Sequence, residues 1–145
     1  MSKRHSTATL GLFVLFAVCA LAQASADKRT IQVDIDYTGS GIVNASHKIY
    51  VALWDSSDMS GGPPAAVLSL NSKKGTVTFS DVQRVPAYVS AAYDPSGNWD
   101  AQSPPPSGSS LGTYSKNPPN PQGIDVVPGK TVKVTIIFDD SVKVP

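Results

Sequence analysis

Glutamate is absent from this chain of 145 residues, and all eleven acidic residues are aspartate. Aspartate favours turns and strand ends and is a poor helix former, so its exclusive use leans away from helices. Cysteine is almost as scarce. The one cysteine, Cys19, lies in an N-terminal stretch ordered like a secretory signal: Lys3, Arg4 and His5, then the apolar run Leu10 to Leu21, then small residues ending in Ala24-Ser25-Ala26. That run is well short of the roughly 20 residues that span a bilayer, which argues for a cleaved signal over 1–26 and against an anchor. Val18 stands before Cys19 where a lipoprotein signal would place a small residue. The expected mature domain, 27–145, has no cysteine and no disulfide, so its stability rests on an apolar core. Its expected location is the periplasm or the cell exterior, with no membrane span after cleavage.

Charge is scarce as well. Loss of Lys3 and Arg4 leaves ten of the twelve basic residues against eleven aspartates, a net charge of −1. No basic run is present, which argues against nucleic acid and an anionic membrane surface as partners. Of two histidines, only His47 would remain. Zinc sites draw on three or four His, Cys or acid ligands, and no G-x-S-x-G nucleophile motif occurs. The neighbours Asp139 and Asp140 point to opposite faces if the last strand continues through them. A hydrolase built on His47 and aspartates is therefore the last of the functional readings.

What the chain does have is strand alternation. Ile31, Val33, Ile35 and Tyr37 share one face against Gln32, Asp34 and Asp36. Ile49, Val51 and Leu53 oppose Tyr50, Ala52 and Trp54. Ala66 to Leu70 is a short strand, a turn follows at Asn71 to Gly75, and Thr76 to Val82 places Val77 and Phe79 inward. Ala87 to Tyr93 alternates again. Residues 94–123 carry little apolar content and two proline clusters, and they read as one long Pro-rich loop, because proline cannot donate to a ladder. Gly123 to Val127, a Pro128-Gly129 turn and Thr131 to Phe138 close the chain. The pattern predicts an all-β fold: one antiparallel β-sandwich of seven strands, with six to eight as the range.

Two groups of residues carry candidate chemistry. In Ala92-Tyr-Asp-Pro-Ser-Gly-Asn-Trp-Asp100, the side chains of Asp94, Ser96, Asn98 and Asp100 offer oxygens at alternate positions, as calcium loops do. Trp99 and Pro105 occupy places where a helix-flanked calcium loop has glycine and a bidentate acid. Asp94-Pro-Ser-Gly97 also has the composition of a type I turn. The turn is the first reading, and calcium is the only cofactor considered. The second group is aromatic. Tyr50, Trp54 and Tyr88 lie opposite the apolar faces of their strands, and Trp99 and Tyr114 sit in the long loop. Such rings either cover the sheet or stack on a glycan or a peptide. Asn44-Ala-Ser46 matches a glycosylation acceptor.

Lys48-IYVALWDSSD-Met59, Gly75-TVTFSD-Val82 and Ala87-YVSAAYDPSGNW-Asp100 together resemble small exported bacterial proteins of the prealbumin-like (transthyretin-like, carboxypeptidase-regulatory-like) sandwich type. The resemblance spans Ile31 to Phe138 and is specific from Ile49 to Asp100. The chain departs from the family pattern at Pro95, Ser96 and Trp99. Hydroxyisourate hydrolases share that fold but need several histidines and a C-terminal Tyr-Arg-Gly-Ser, whereas this chain ends in Val142-Lys-Val-Pro145. Iron-dependent intradiol dioxygenases need two His and two Tyr. With those two activities set aside, the expected role is a non-catalytic envelope module whose aromatic positions and 94–123 loop contact a glycan, a peptide or an envelope protein. Assembly through an edge strand is the alternative.

Overall fold

Seven strands, and no helix among the described residues, form two facing sheets in a computed structural model that describes residues 27–145. The expected signal segment, 1–26, with Cys19, lies outside the described residues. The strands are β1 (Thr30–Tyr37), β2 (Ile49–Trp54), β3 (Ala66–Leu70), β4 (Lys74–Ser80), β5 (Tyr88–Tyr93), β6 (Ser110–Thr113) and β7 (Thr131–Phe138). One sheet has the order β4-β1-β7 and the other β3-β2-β5-β6, which makes the fold an all-β sandwich of seven strands.

The two-residue period of side chains on a strand explains this division. In β1 the residues Ile31, Val33, Ile35 and Tyr37 are all buried, while the polar set between them is half-buried on the outer face. Val134, Ile136 and Phe138 of β7 extend the buried face within the same sheet, and Ile49, Val51 and Leu53 of β2 meet it from the opposite sheet, together with Val89 and Ala91 of β5. Each such aliphatic side chain, fully buried, contributes about 1.5–3 kcal/mol. That is the source of stability expected of a domain without disulfides.

Two features depart from the sequence reading. The sandwich is not wholly antiparallel, because β1 pairs with β7 in parallel over eight residues, Thr30↔Thr131 to Tyr37↔Phe138. Parallel neighbours need a long crossover, and the first and last strands have the whole chain between them. The second departure is in the proline-rich segment. The loop expected over 94–123 contains β6, which pairs antiparallel with β5 from Tyr93↔Ser110 to Ser90↔Thr113. In contrast, Gly123 to Val127 contributes only an isolated bridge, Ile124 to Ala87. Ile124 and Val126 are nevertheless buried in the core.

After β7 the chain crosses to the other sheet. Lys143 bridges to Ser110, Leu111 N–H donates to Val142 O, and Val144 N–H donates to Ser109 O, so residues 142–144 lie along the outer edge of β6.

Candidate functional site

The outer face of the four-stranded sheet is built in rows. The strand registers align Val67, Ala52, Ser90 and Thr113 across all four strands, a row of short side chains. On one side of it runs the row Ser69, Tyr50, Ala92 and Leu111, and on the other the directly opposed pair Trp54 and Tyr88. A trough of small residues thus lies between large aromatic ones.

Loops turn the trough into a groove. The segment after β2 brings Met59, Pro63 and Pro64 to one wall, and the segment after β5 brings Trp99, Pro104 and Pro105 to another, around a volume of about 870 Å³. That is a size typical of ligand sites. The β5 loop is fixed at three points. Trp99 packs edge-on against Tyr50 with ring centroids 4.8 Å apart, and Tyr50 Oη donates to Trp99 O at 2.9 Å. Burial, with Asp94 and Asp100 nearby, raises the Tyr50 phenol above its ordinary pKa, so it stays a neutral donor. Ala101, buried beneath the loop, holds a left-handed φ of 61°, an uncommon conformation for a residue with a Cβ.

The polar ends of the rings are already engaged. Trp54 Nε1 donates to Ser90 Oγ at 2.9 Å, and Trp99 Nε1 donates to Ser103 O at 2.9 Å. With the Tyr50 bond, every aromatic of the groove spends its polar atom within the chain. The rings therefore offer a ligand their faces, beside proline rings and aliphatic carbon, and the polar side chains of the lining are those of Gln102, Thr113, Lys143 and a few serines.

The expected aromatic set is therefore only partly assembled. Tyr50, Trp54 and Trp99 meet in the groove. Tyr88 lies beside it, in a separate polar depression of about 590 Å³ with Asp55 and Arg84, whose Nε stands 3.7 Å from the Asp55 carboxylate. Tyr114 packs half-buried against the core, its N–H donating to Val89 O. The proline walls and Ala92 were not legible as site residues.

The oxygen-rich loop is organised as a turn around one carboxylate. Asp94 is 1% exposed. Its Oδ1 accepts from Ser96 N–H at 2.9 Å and Ser96 Oγ at 2.6 Å, and its Oδ2 accepts from Trp99 N–H at 3.0 Å. Burial pushes this carboxyl up, but the donors of Ser96, Trp99 and Gly97 outweigh it and hold Asp94 below the usual carboxylate range. Ser96 Oγ also accepts from Asn98 N–H, and Asp100 Oδ1 accepts from Gln102 N–H, so three of the four candidate calcium ligands already serve their own backbone. Gly97 takes a left-handed φ of 71°. Among the described residues no three His, Cys, Asp or Glu side chains converge on a point that could hold a metal. The arrangement shapes the loop that carries Trp99.

A second carboxylate joins the two sheets. Asp140 Oδ1 accepts from Tyr37 Oη at 2.5 Å and Ser110 Oγ at 2.6 Å, and its Oδ2 accepts from Ser40 N–H and Ser40 Oγ, both at 2.8 Å. The Ser110, Tyr37 and Ser40 donors hold it far below the ordinary carboxylate range. Asp139 turns away and accepts from Ser141 N–H. The strand ends at Phe138, so the two carboxylates diverge in the turn that follows it and not by strand alternation. His47 Nδ1 faces Asn44 Oδ1 at 3.4 Å, and no carboxylate among the described residues bonds or pairs with its ring.

Among the described residues no helix is long and apolar enough to cross a membrane. Comparison with protein-family models, curated proteins and solved structures returns no match to this chain.

Proposed function

We propose that this chain is an exported, non-catalytic binding module of the bacterial envelope, prealbumin-like in kind, whose groove over β2, β5 and β6 takes its ligand. The observation that carries this reading is the groove itself: aromatic and proline walls around a floor of Ala52, Ala92 and Ser90. Of the two ligand classes implied by the sequence, an apolar or proline-rich peptide fits better than a glycan. Sugar stacking needs polar partners at the ring edges for the hydroxyls; the Trp54, Trp99 and Tyr50 polar atoms are occupied within the chain, which leaves few others, chiefly Gln102, Thr113 and Lys143, in a mostly apolar lining. Proline rings against aromatic faces need no such partners, and a peptide that is extended before it binds loses little entropy.

The test is a panel of proline-rich peptides, apolar peptides and oligosaccharides read by tryptophan fluorescence and calorimetry. Trp54→Ala and Trp99→Ala are each expected to weaken peptide binding about tenfold or more, as buried aromatic anchors do. Equal affinity for the unsubstituted chain and both variants would defeat the assignment of the groove. Saccharide binding lost in both variants would keep the groove and overturn the ligand class.

A further inference from the structure

A strand edge left open by the fold suggests a second surface, independent of the groove. Along a strand, the N–H and C=O of successive residues point alternately to opposite sides. At the two ends of β7, Lys130 O accepts from Thr30 N–H at 3.0 Å and Phe138 O accepts from Thr38 N–H at 2.9 Å, both from the β1 side. The even-numbered residues of β7 therefore serve β1. Thr131, Lys133, Thr135 and Ile137 point both backbone groups away from the sheet. Among the described residues no backbone hydrogen bond reaches β7 from that side.

Other edges are less suited to pairing. Residues 142–144 cover β6. β3 has five residues. β4 contains Gly75 and the ion-paired Lys74, and it runs into Asp81 at a left-handed φ of 60°. β7 is eight residues long, has no glycine or proline, and carries one charge, Lys133. Such an edge is a template for another strand unless something blunts it.

We propose that β7 pairs antiparallel with β7 of a second copy of this chain, with the two-fold axis at Val134. Residues opposed across an antiparallel pair lie on the same face, so only odd residues can oppose odd ones here. With Val134 at the axis, Thr131 faces Ile137 and Lys133 faces Thr135, each pair occurring twice. All four outward N–H groups and all four outward carbonyls of each strand are then satisfied, and the two sheets become one six-stranded sheet. A shift by two residues in either direction leaves an end pair without a partner on β7, and in one direction it sets Lys133 against Lys133. The Val134 register avoids that like-charge pair and places Thr131 over Ile137, which is 69% exposed in the single chain.

The prediction is tested on the chain lacking residues 1–26, since all seven strands lie in 27–145. Sedimentation and light scattering should show a concentration-dependent dimer. Thr135→Pro removes an N–H that the single chain does not use, at an edge position where proline is tolerated. It should keep the far-ultraviolet spectrum and a cooperative melt while weakening the dimer at least tenfold. Ile136→Pro, whose N–H serves β1, should instead unfold the chain. The chain beyond 26 has no cysteine, so register can be read directly. Lys133→Cys and Thr135→Cys proteins, oxidised as a mixture, should form the mixed disulfide, because opposed hydrogen-bonded residues have Cα atoms about 5.5 Å apart, within disulfide reach. A monomer at near-millimolar concentration would overturn the proposal. So would a dimer that a folded Thr135→Pro variant retains, or a dimer whose cysteine mixture does not cross-link.

Discussion

Replacing Asp140 is the most demanding test of how the two sheets are held together. Its carboxylate receives four hydrogen bonds: one from β1, two from the β1–β2 connection and one from β6. Each bond to a charged acceptor contributes about 1.5–3 kcal/mol when well enclosed. Asp140 is half-buried, so water replaces part of that loss, and the four bonds share one charge and do not add. Asp140→Ala is therefore expected to cost about 3 kcal/mol, near 10 °C in midpoint for a domain of this size. Asp140→Asn should cost less, since the Tyr37, Ser40 and Ser110 hydroxyls rotate to accept from an amide. The pH dependence gives a sharper criterion. The folded carboxyl lies below its unfolded value of about 3.9, so its contribution is fully present above that pH and declines as the pH falls towards the folded value. Urea denaturation of the native chain and Asp140→Asn, from about pH 7 to about pH 2.5, should show a stability difference that is constant at first and shrinks below about pH 4. A difference independent of pH, or an Asp140→Ala loss under about 1 kcal/mol, would refute the view that this carboxylate clasps the sheets.

Other outcomes follow from the same structure. Asp94→Ala leaves Ser96 and Trp99 donors without their acceptor and should cost about 2 kcal/mol in thermal unfolding, with proteolytic cleavage appearing first between 94 and 109. Because Asp94 also lies below the usual carboxylate range, its contribution is present above about pH 4 and declines below it. Millimolar calcium and a chelator should leave the thermal midpoint of the native chain in the same place, because binding to the native state would raise it. Gly112→Ala would put a Cβ 2.6 Å from Phe138 Cβ in the core, and overpacking of that kind should cost about 1–3 kcal/mol in equilibrium unfolding.

How much of this was legible depended on how locally each feature is specified. β1, β2 and β5 alternate residue by residue, so their buried faces could be read directly from Ile31 to Tyr37 and from Ile49 to Leu53. β6 could not. Ser110-Leu-Gly-Thr113 has one large apolar side chain and a glycine whose missing Cβ makes room for Phe138, so neither alternation nor strand propensity marks it. It is a strand because β5 lies on one side and residues 142–144 on the other. The parallel pairing of β1 with β7 is a long-range choice that no local pattern carries. The aromatic positions of β2 were visible as an outward set. That Trp99 would come 49 residues along the chain to meet Tyr50 depends on the Asp94 turn. Asp140 was read only as half of an adjacent pair, because its three partner residues come from distant segments.

The parallel pairing of the first and last strands has a mechanical consequence. Force applied between the start of β1 at Thr30 and the end of β7 at Phe138 pulls the two strands past each other along their length. The cross-bonds of their eight-residue register lie across that direction and are strained together. By contrast, the same force taken through residues 142–144 would peel that segment from β6 one bond after another. The domain should therefore yield in two steps under tension: a weak release of the last residues, then a stiff resistance in shear before the sheets separate.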